Sequence, residues 1–172
     1  MEQLEQLEQL EQAKQAALKY ISARMHTRQE VKQQLQKKGY ESGIIREVTA
    51  FLEEYRYLDD AAYCRSWIHD RVQFHPCGRQ KMAFELEKKI SDRQLVQQSL
   101  EEYFPEEQEL ELAMAAAMKK IESSRSAVSR EQIGRFLYTR GYGGSLVNRV
   151  LHDETIHEMI ENSRQGQCNN NF

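Results

Sequence analysis

Apolar residues recur along this chain at helical spacing, and the pattern repeats three times. Leu35, Leu86 and Leu137 stand 51 residues apart and serve as local origins. Four residues before them come Val31, Met82 and Ile133. Nine residues after them come Ile44, Leu95 and Leu146, and ten after come Ile45, Val96 and Val147. Thirteen after stand Val48, Ser99 and Val150, so four of these five columns are wholly apolar. Offsets −4 and 0 place two apolar residues on one face of a first helix. Offsets +9, +10 and +13 place three on one face of a second. Between them fall Gly39-Tyr40, Ile90-Ser91 and Gly141-Tyr142. Glycine at this point suits a left-handed helix end, and Ile90 requires the middle turn to close differently.

Eight residues before each leucine stands a start signal: Thr27, Gly78 and Ser129. Thr27-Arg28-Gln29-Glu30 and Ser129-Arg130-Glu131-Gln132 fit a capping box, and Gly78 is a weaker cap. A further amphipathic stretch precedes each pair, at 18–25, 62–74 and 112–121. Asp59-Asp60 is placed to cap the second of these, and Pro105 suits the first turn of the third. The predicted fold is all-α: a tandem array of three three-helix units forming an elongated, curved molecule. The units are expected at 13–57, 58–104 and 105–163. Each is small enough to need its neighbours for a complete core. Trp67, Phe74, Phe84, Tyr63 and Tyr103 are expected to anchor the central one.

The ends differ from the repeat. In the acidic, Gln/Leu-rich lead-in at 1–12, Leu4, Leu7 and Leu10 are three apart. Each step falls about 60° short of a full turn, so the stripe drifts around the helix. A frayed helical lead-in is one reading; a short partner-binding or self-associating helix is the other. The polar tail at 164–172 reads as disordered.

Composition adds limits. Charged residues make up 30% of the 172 positions, and only two prolines and eight glycines interrupt them, which favours long helices. Three cysteines without CxxC spacing argue against a disulfide framework or a thiolate zinc site. No apolar run approaches the roughly 18 residues that span a bilayer, and the acidic N-terminus is unlike a secretory signal. A cytoplasmic monomer is expected. No phosphate-binding glycine loop and no H-E-x-x-H occurs. His69, His75, Cys77 and Cys64 lie near one another in sequence but lack ligand spacing. No enzyme, metal or cofactor is expected.

The net charge of −3 conceals an uneven distribution. Four glutamates and no cation occupy 1–12; six glutamates and no cation occupy 101–111. Cations recur at offset −7 (Arg28, Arg79, Arg130) and at +3 (Lys38, Lys89, Arg140). The second column suits the helix dipole. The first sits where that dipole disfavours a positive charge by roughly 0.3–1 kcal/mol, which points to an anionic partner or to inherited duplication. Residues 71–93 and 125–149 are also rich in cations. On equivalent helices these side chains would form a basic edge.

Tyr57-Leu58-Asp59-Asp60-Ala61-Ala62-Tyr63 resembles the central signature of the RecX family, bacterial regulators of the RecA recombinase. So does the stretch from Gly78-Arg79-Gln80-Lys81 through Glu85-Leu86-Glu87-Lys88-Lys89-Ile90, although the family's glycine after the lysine is absent. The first repeat matches through Arg28, Glu30, Val31, Leu35, Lys38, Gly39 and Tyr40, and the third through Arg140-Gly141-Tyr142. The resemblance covers roughly 14–153. It implies an array of three-helix units that binds RecA filaments on single-stranded DNA. It implies modulation, mostly inhibition, of filament growth and ATPase, within DNA recombination, repair and the SOS response. The expected partner-binding residues are Arg79, Lys81, Lys88 and Lys89, flanked by Arg28, Lys38, Arg130 and Arg140. The alternative is an autonomous DNA-binding helical repeat that competes for single-stranded DNA.

Overall fold

The computed structural model describes residues 2–168, with side chains from Leu4 to Arg164. Among the described residues there are ten α-helices and no strand. They are α1 (Glu2–Ile21), α2 (Arg28–Lys37), α3 (Ser42–Glu54), α4 (Asp60–Phe74) and α5 (Arg79–Glu87). Then come α6 (Arg93–Tyr103), α7 (Glu106–Glu122), α8 (Arg130–Thr139), α9 (Gly144–Leu151) and α10 (Glu154–Cys168). The last helix runs into the stretch read as a disordered tail; positions 169–172 lie outside the described residues.

The helices gather into two compact units. One runs to Trp67 and takes back Leu86–Val96; the other takes Ile68–Glu85 and the chain from Gln97 on. The division falls inside α4, α5 and α6. In the first unit, α1, α2 and α3 pack on one another around Ala13, Ala17, Val31, Leu35, Ile45, Val48 and Leu52. In the second, α7 to α10 enclose Ala113, Ala117, Ile133, Leu137, Val147 and Val150. Ile156 and Ile160 of α10 complete that core, a fourth helix beyond the repeat. Every residue at offsets −4, 0, +10 and +13 is buried, Ser99 included.

Both expected capping boxes form. Thr27 Oγ1 accepts from Glu30 N, and Glu30 Oε2 accepts from Thr27 N. Ser129 and Gln132 make the same exchange. Asp59 Oδ1 accepts from Ala62 N at 2.9 Å, so Asp59 caps α4. Its neighbour Asp60 reaches back to Arg28 N instead, also at 2.9 Å.

The two outer turns close identically. Gly39 and Gly141 both have φ of +85°, and the following tyrosine N–H donates five residues back, to Leu35 O and Leu137 O. This is a Schellman ending. The middle turn closes without a positive φ. Ile90 N donates to Leu86 O at 2.9 Å, and its side chain is fully buried. The end of α3 repeats the Schellman pattern with Arg56 in the left-handed region, at φ +56°. No periodicity signals that residue.

Two aromatic expectations fail. Phe74 and Phe84 are 68% and 61% exposed. Phe84 lies two residues from both Met82 and Leu86, so about 200° of helix rotation turns it away from their buried face. Phe74 is the last residue of α4. Trp67 and Tyr103 are only half-buried, and Phe104 takes the fully buried place beside Tyr103.

The two left-handed glycines give a stability test. A Cβ at Gly39 meets open space, whereas one at Gly141 lies 2.4 Å from Lys81 Cβ. Gly39→Ala is expected to cost about 1 kcal/mol from backbone strain alone, and Gly141→Ala at least about 2 kcal/mol. Urea unfolding of both variants measures the difference; equal losses would count against the close approach at Gly141.

Candidate functional site: a basic groove in the second unit

Pro76 stops α4, because proline lacks an N–H and disfavours helix at the residue before it. The chain then passes through Cys77 to Gly78. Gly78 is no ordinary cap. A Cβ there would lie 2.2 Å from the carbonyl carbon and oxygen of Gly141 and 2.3 Å from Tyr142 N. Gly78 N donates to Arg140 O at 2.9 Å, and Gln80 N donates to Gly141 O at 3.1 Å. The backbone at the start of α5 is thus hydrogen-bonded to the turn after α8. That contact brings Lys81 and Arg140 to one groove.

The groove has a volume of about 720 Å³. Leu112, Ala115 and Ala116 of α7 supply its apolar surface, with Phe74 and Phe136. Arg71, Lys81, Lys119, Lys120 and Arg140 supply charge, with His75, Pro76, Cys77 and Ser123 between them. No aspartate or glutamate lines it. Arg71 is ion-paired with Glu85, which lies outside the lining. Lys120 and Arg140 lie over the Phe136 ring, at 5.8 and 4.8 Å from its centroid. Burial pushes the Cys77 thiol up, against the opposing influence of Arg71, Lys81 and Arg140. Buried, it stands as part of the groove wall. Tyr142, behind this wall, is fully buried with no hydrogen-bond partner for its hydroxyl. Burial pushes its phenol up to about 12.

Only two of the eight cations expected to bind a partner, Lys81 and Arg140, meet here. Arg79 serves the fold. The carboxylate of Glu109, buried on α7, accepts from Arg79 N at 2.7 Å and faces its Nε at 3.5 Å. Arg79 Nη2 donates to Phe104 O. With no side chain at Gly78, Glu109 caps α5 and neutralises the arginine at its first position. Arg28 is treated alike, with Asp60 on its N–H and Glu53 2.9 Å from its Nε. Internal carboxylates thus answer the dipole objection for these two arginines. Arg130 reaches His157 Nδ1 at 3.4 Å. It stands at the opposite end of α8 from Arg140, ten residues and about 15 Å away, so the pair forms no continuous ridge.

Lys88, Lys89, Arg28 and Lys38 belong to the first unit. Lys38 and Lys88 are exposed. Gln29 Nε2 donates to Lys88 O at 3.4 Å. Lys89 Nζ lies 3.2 Å from Glu30 Oε1 and 5.9 Å from the Tyr63 ring centroid. Burial raises the Glu30 pKa, but the Thr27 amide and Lys89 together outweigh it and hold the carboxyl below its ordinary range.

Sequence reading missed Lys119, Lys120 and the groove role of Phe74. The adjacent lysines close α7 and suit its dipole, so no anomaly marks them. An apolar groove surface cannot be told from core by periodicity. The Ala-rich run at 113–117 supplies both, with Ala113 and Ala117 buried and Ala115 and Ala116 on the groove.

Two family models match the chain, described as the first three-helix domain of RecX, over residues 13–52, and the second, over 59–100. A protein named Regulatory protein RecX from Vibrio vulnificus (strain CMCP6) is 32% identical over 142 residues, 80% of this chain and 90% of that one. One of the same name from Clostridium botulinum (strain Eklund 17B / Type B) is 28% identical over 151 residues, 85% and 70% of the two chains. The crystal structure of RecX from Lactobacillus salivarius superposes with a TM-score of 0.77 at 21% identity, covering 90% of this chain and 98% of that one.

Structural and groove cations separate by mutation. Arg79→Ala and Glu109→Ala are each expected to cost about 2 kcal/mol, with a double variant well short of the sum. Lys81→Ala and Lys119→Ala should stay within about 0.5 kcal/mol of the parent. Additive losses at Arg79 and Glu109 in urea unfolding would show that the two do not act together. A second expectation concerns acid. Glu30 has a lowered pKa in the folded chain, so its stabilising contribution is complete above the ordinary carboxylate range and is lost as pH falls through the lowered value. Glu30→Gln should therefore be less stable at neutral pH and lose less on acidification, read from unfolding midpoints between about pH 7 and pH 3.

Proposed function

The chain belongs to the RecX family, and from that membership we propose that it binds the RecA recombinase, above all RecA filaments on single-stranded DNA, and inhibits filament growth and ATPase through the basic groove of its second unit. The observation that carries the proposal is a groove with five cations and no carboxylate on its walls. Such a surface attracts an anionic partner and repels none of it. Its apolar surface gives that partner something to bury, which charge alone does not. The protein acts by occupancy in the cytoplasm, without catalysis, in recombination, repair and the SOS response.

Direct capture of single-stranded DNA is the second reading, favoured by one observation: Phe74 stands exposed among the cations, where a base can stack. The two readings differ in salt response. A strand held by about four phosphate contacts has a slope near −2.8 and loses roughly 50-fold in affinity between 50 and 200 mM salt. A filament gripped through protein surface as well should lose less.

The test is inhibition of RecA's DNA-dependent ATPase. Lys81→Ala/Lys119→Ala/Arg140→Ala should keep its helicity and weaken inhibition at least tenfold, about 1.4 kcal/mol. Full inhibition by that triple variant would refute the groove assignment. Arg79→Ala is a poor probe, because it removes a cap together with a charge.

A further inference from the structure

The first turns of α1 carry the features that the groove lacks. Leu4 and Leu7 are 66% and 59% exposed, while Leu10 turns in toward the core of the first unit. The stripe of leucines drifts because its members are three apart. Glu5 and Glu8 are exposed and, among the described residues, make no ion pair. No lysine, arginine or histidine occurs among residues 1–13, and Lys14 pairs with Glu11 at 2.8 Å. A crevice of about 530 Å³ separates this helix end from the start of α3. Its lining includes Glu5, Glu41 and Glu47 and no cation. The helix end therefore presents two exposed leucines beside the exposed carboxylates of Glu5 and Glu8.

We infer that the acidic helix end of one copy docks in the basic groove of a second copy, with Leu4 and Leu7 against the α7 alanine surface and Glu5 and Glu8 beside Lys119 and Lys120. The occupant follows from complementarity in both charge and polarity. The groove has cations without carboxylates and an apolar floor; the segment has carboxylates without cations and bare leucines. Segment and groove are different surfaces, so the contact is head-to-tail. It is small, and so weak and transient. The chain is a monomer when dilute and associates as it is concentrated. It rests on the reading of the groove as an anion-binding surface, and it adds self-competition: a groove filled by a second copy is closed to any other anionic partner.

Sedimentation velocity of the full chain from about 10 µM to 1 mM tests this, at low salt and again at 0.5 M. The weight-average mass should rise with concentration at low salt and revert to that of the monomer at high salt. Glu5→Lys/Glu8→Lys and Lys119→Glu/Lys120→Glu should each weaken self-association at least about tenfold. Mixed together they should form a 1:1 complex, the unaltered acidic helix end of one in the unaltered basic groove of the other. Lys119→Gln/Lys120→Gln, which spares the α7 terminus a negative charge, should also weaken association. A wild-type chain that stays monomeric throughout overturns the inference, as does association indifferent to these variants or a mixture that fails to pair. The ATPase assay keeps the two readings apart. If Lys119→Glu/Lys120→Glu loses self-association but inhibits RecA fully, the proposed function fails and the inference stands. If it loses inhibition while self-association persists, the reverse holds. Glu5→Lys/Glu8→Lys should inhibit at least as well as the parent.

Discussion

The second unit turns on the place where two backbones touch without side chains. Gly78 lies against the peptide between Gly141 and Tyr142, closer than any Cβ permits, and two backbone hydrogen bonds join the strands of chain on either side. This contact ties the start of α5 to the end of α8. Lys81 and Arg140 extend from those two points into the same groove, and α7 lies across it. A side chain at either glycine would push the walls apart. Rigid backbone thus fixes where Lys81 and Arg140 enter the groove.

The same approach leaves a problem that another element solves. A glycine at the start of α5 offers no side chain to its amides, and Arg79 adds a positive charge where the helix dipole is already positive. Glu109 answers both at once from a buried position on α7. Asp60 and Glu53 divide the equivalent task at Arg28. The arginine column thus belongs to the joints of the fold at two of its three positions. The groove draws its cations from other positions, including two at the end of α7 that belong to no column.

Charge is sorted between surfaces that the total of −3 hides. A carboxylate-free groove in one unit and a cation-free helix end in the other each favour a partner of opposite sign. A recombinase filament is the partner proposed for the groove. The proposed docking of the helix end of a second copy would make concentration itself a control on groove occupancy.

Much of the fold was legible in the sequence. The 51-residue repeat, both capping boxes, the glycine-tyrosine turns and the departure at Ile90 all rest on local rules of helix geometry, which one segment obeys by itself. The family signature at Tyr57 to Tyr63 is likewise a linear pattern. Tertiary structure alone decided three other matters: that Gly78 is a site of backbone contact, that Phe74 and Phe84 face outward, and that Arg28 and Arg79 are neutralised internally. Each depends on what a distant segment places opposite the residue. Sequence spacing records how a side chain lies around its own helix; it carries no information about the carboxylate or carbonyl that arrives from another.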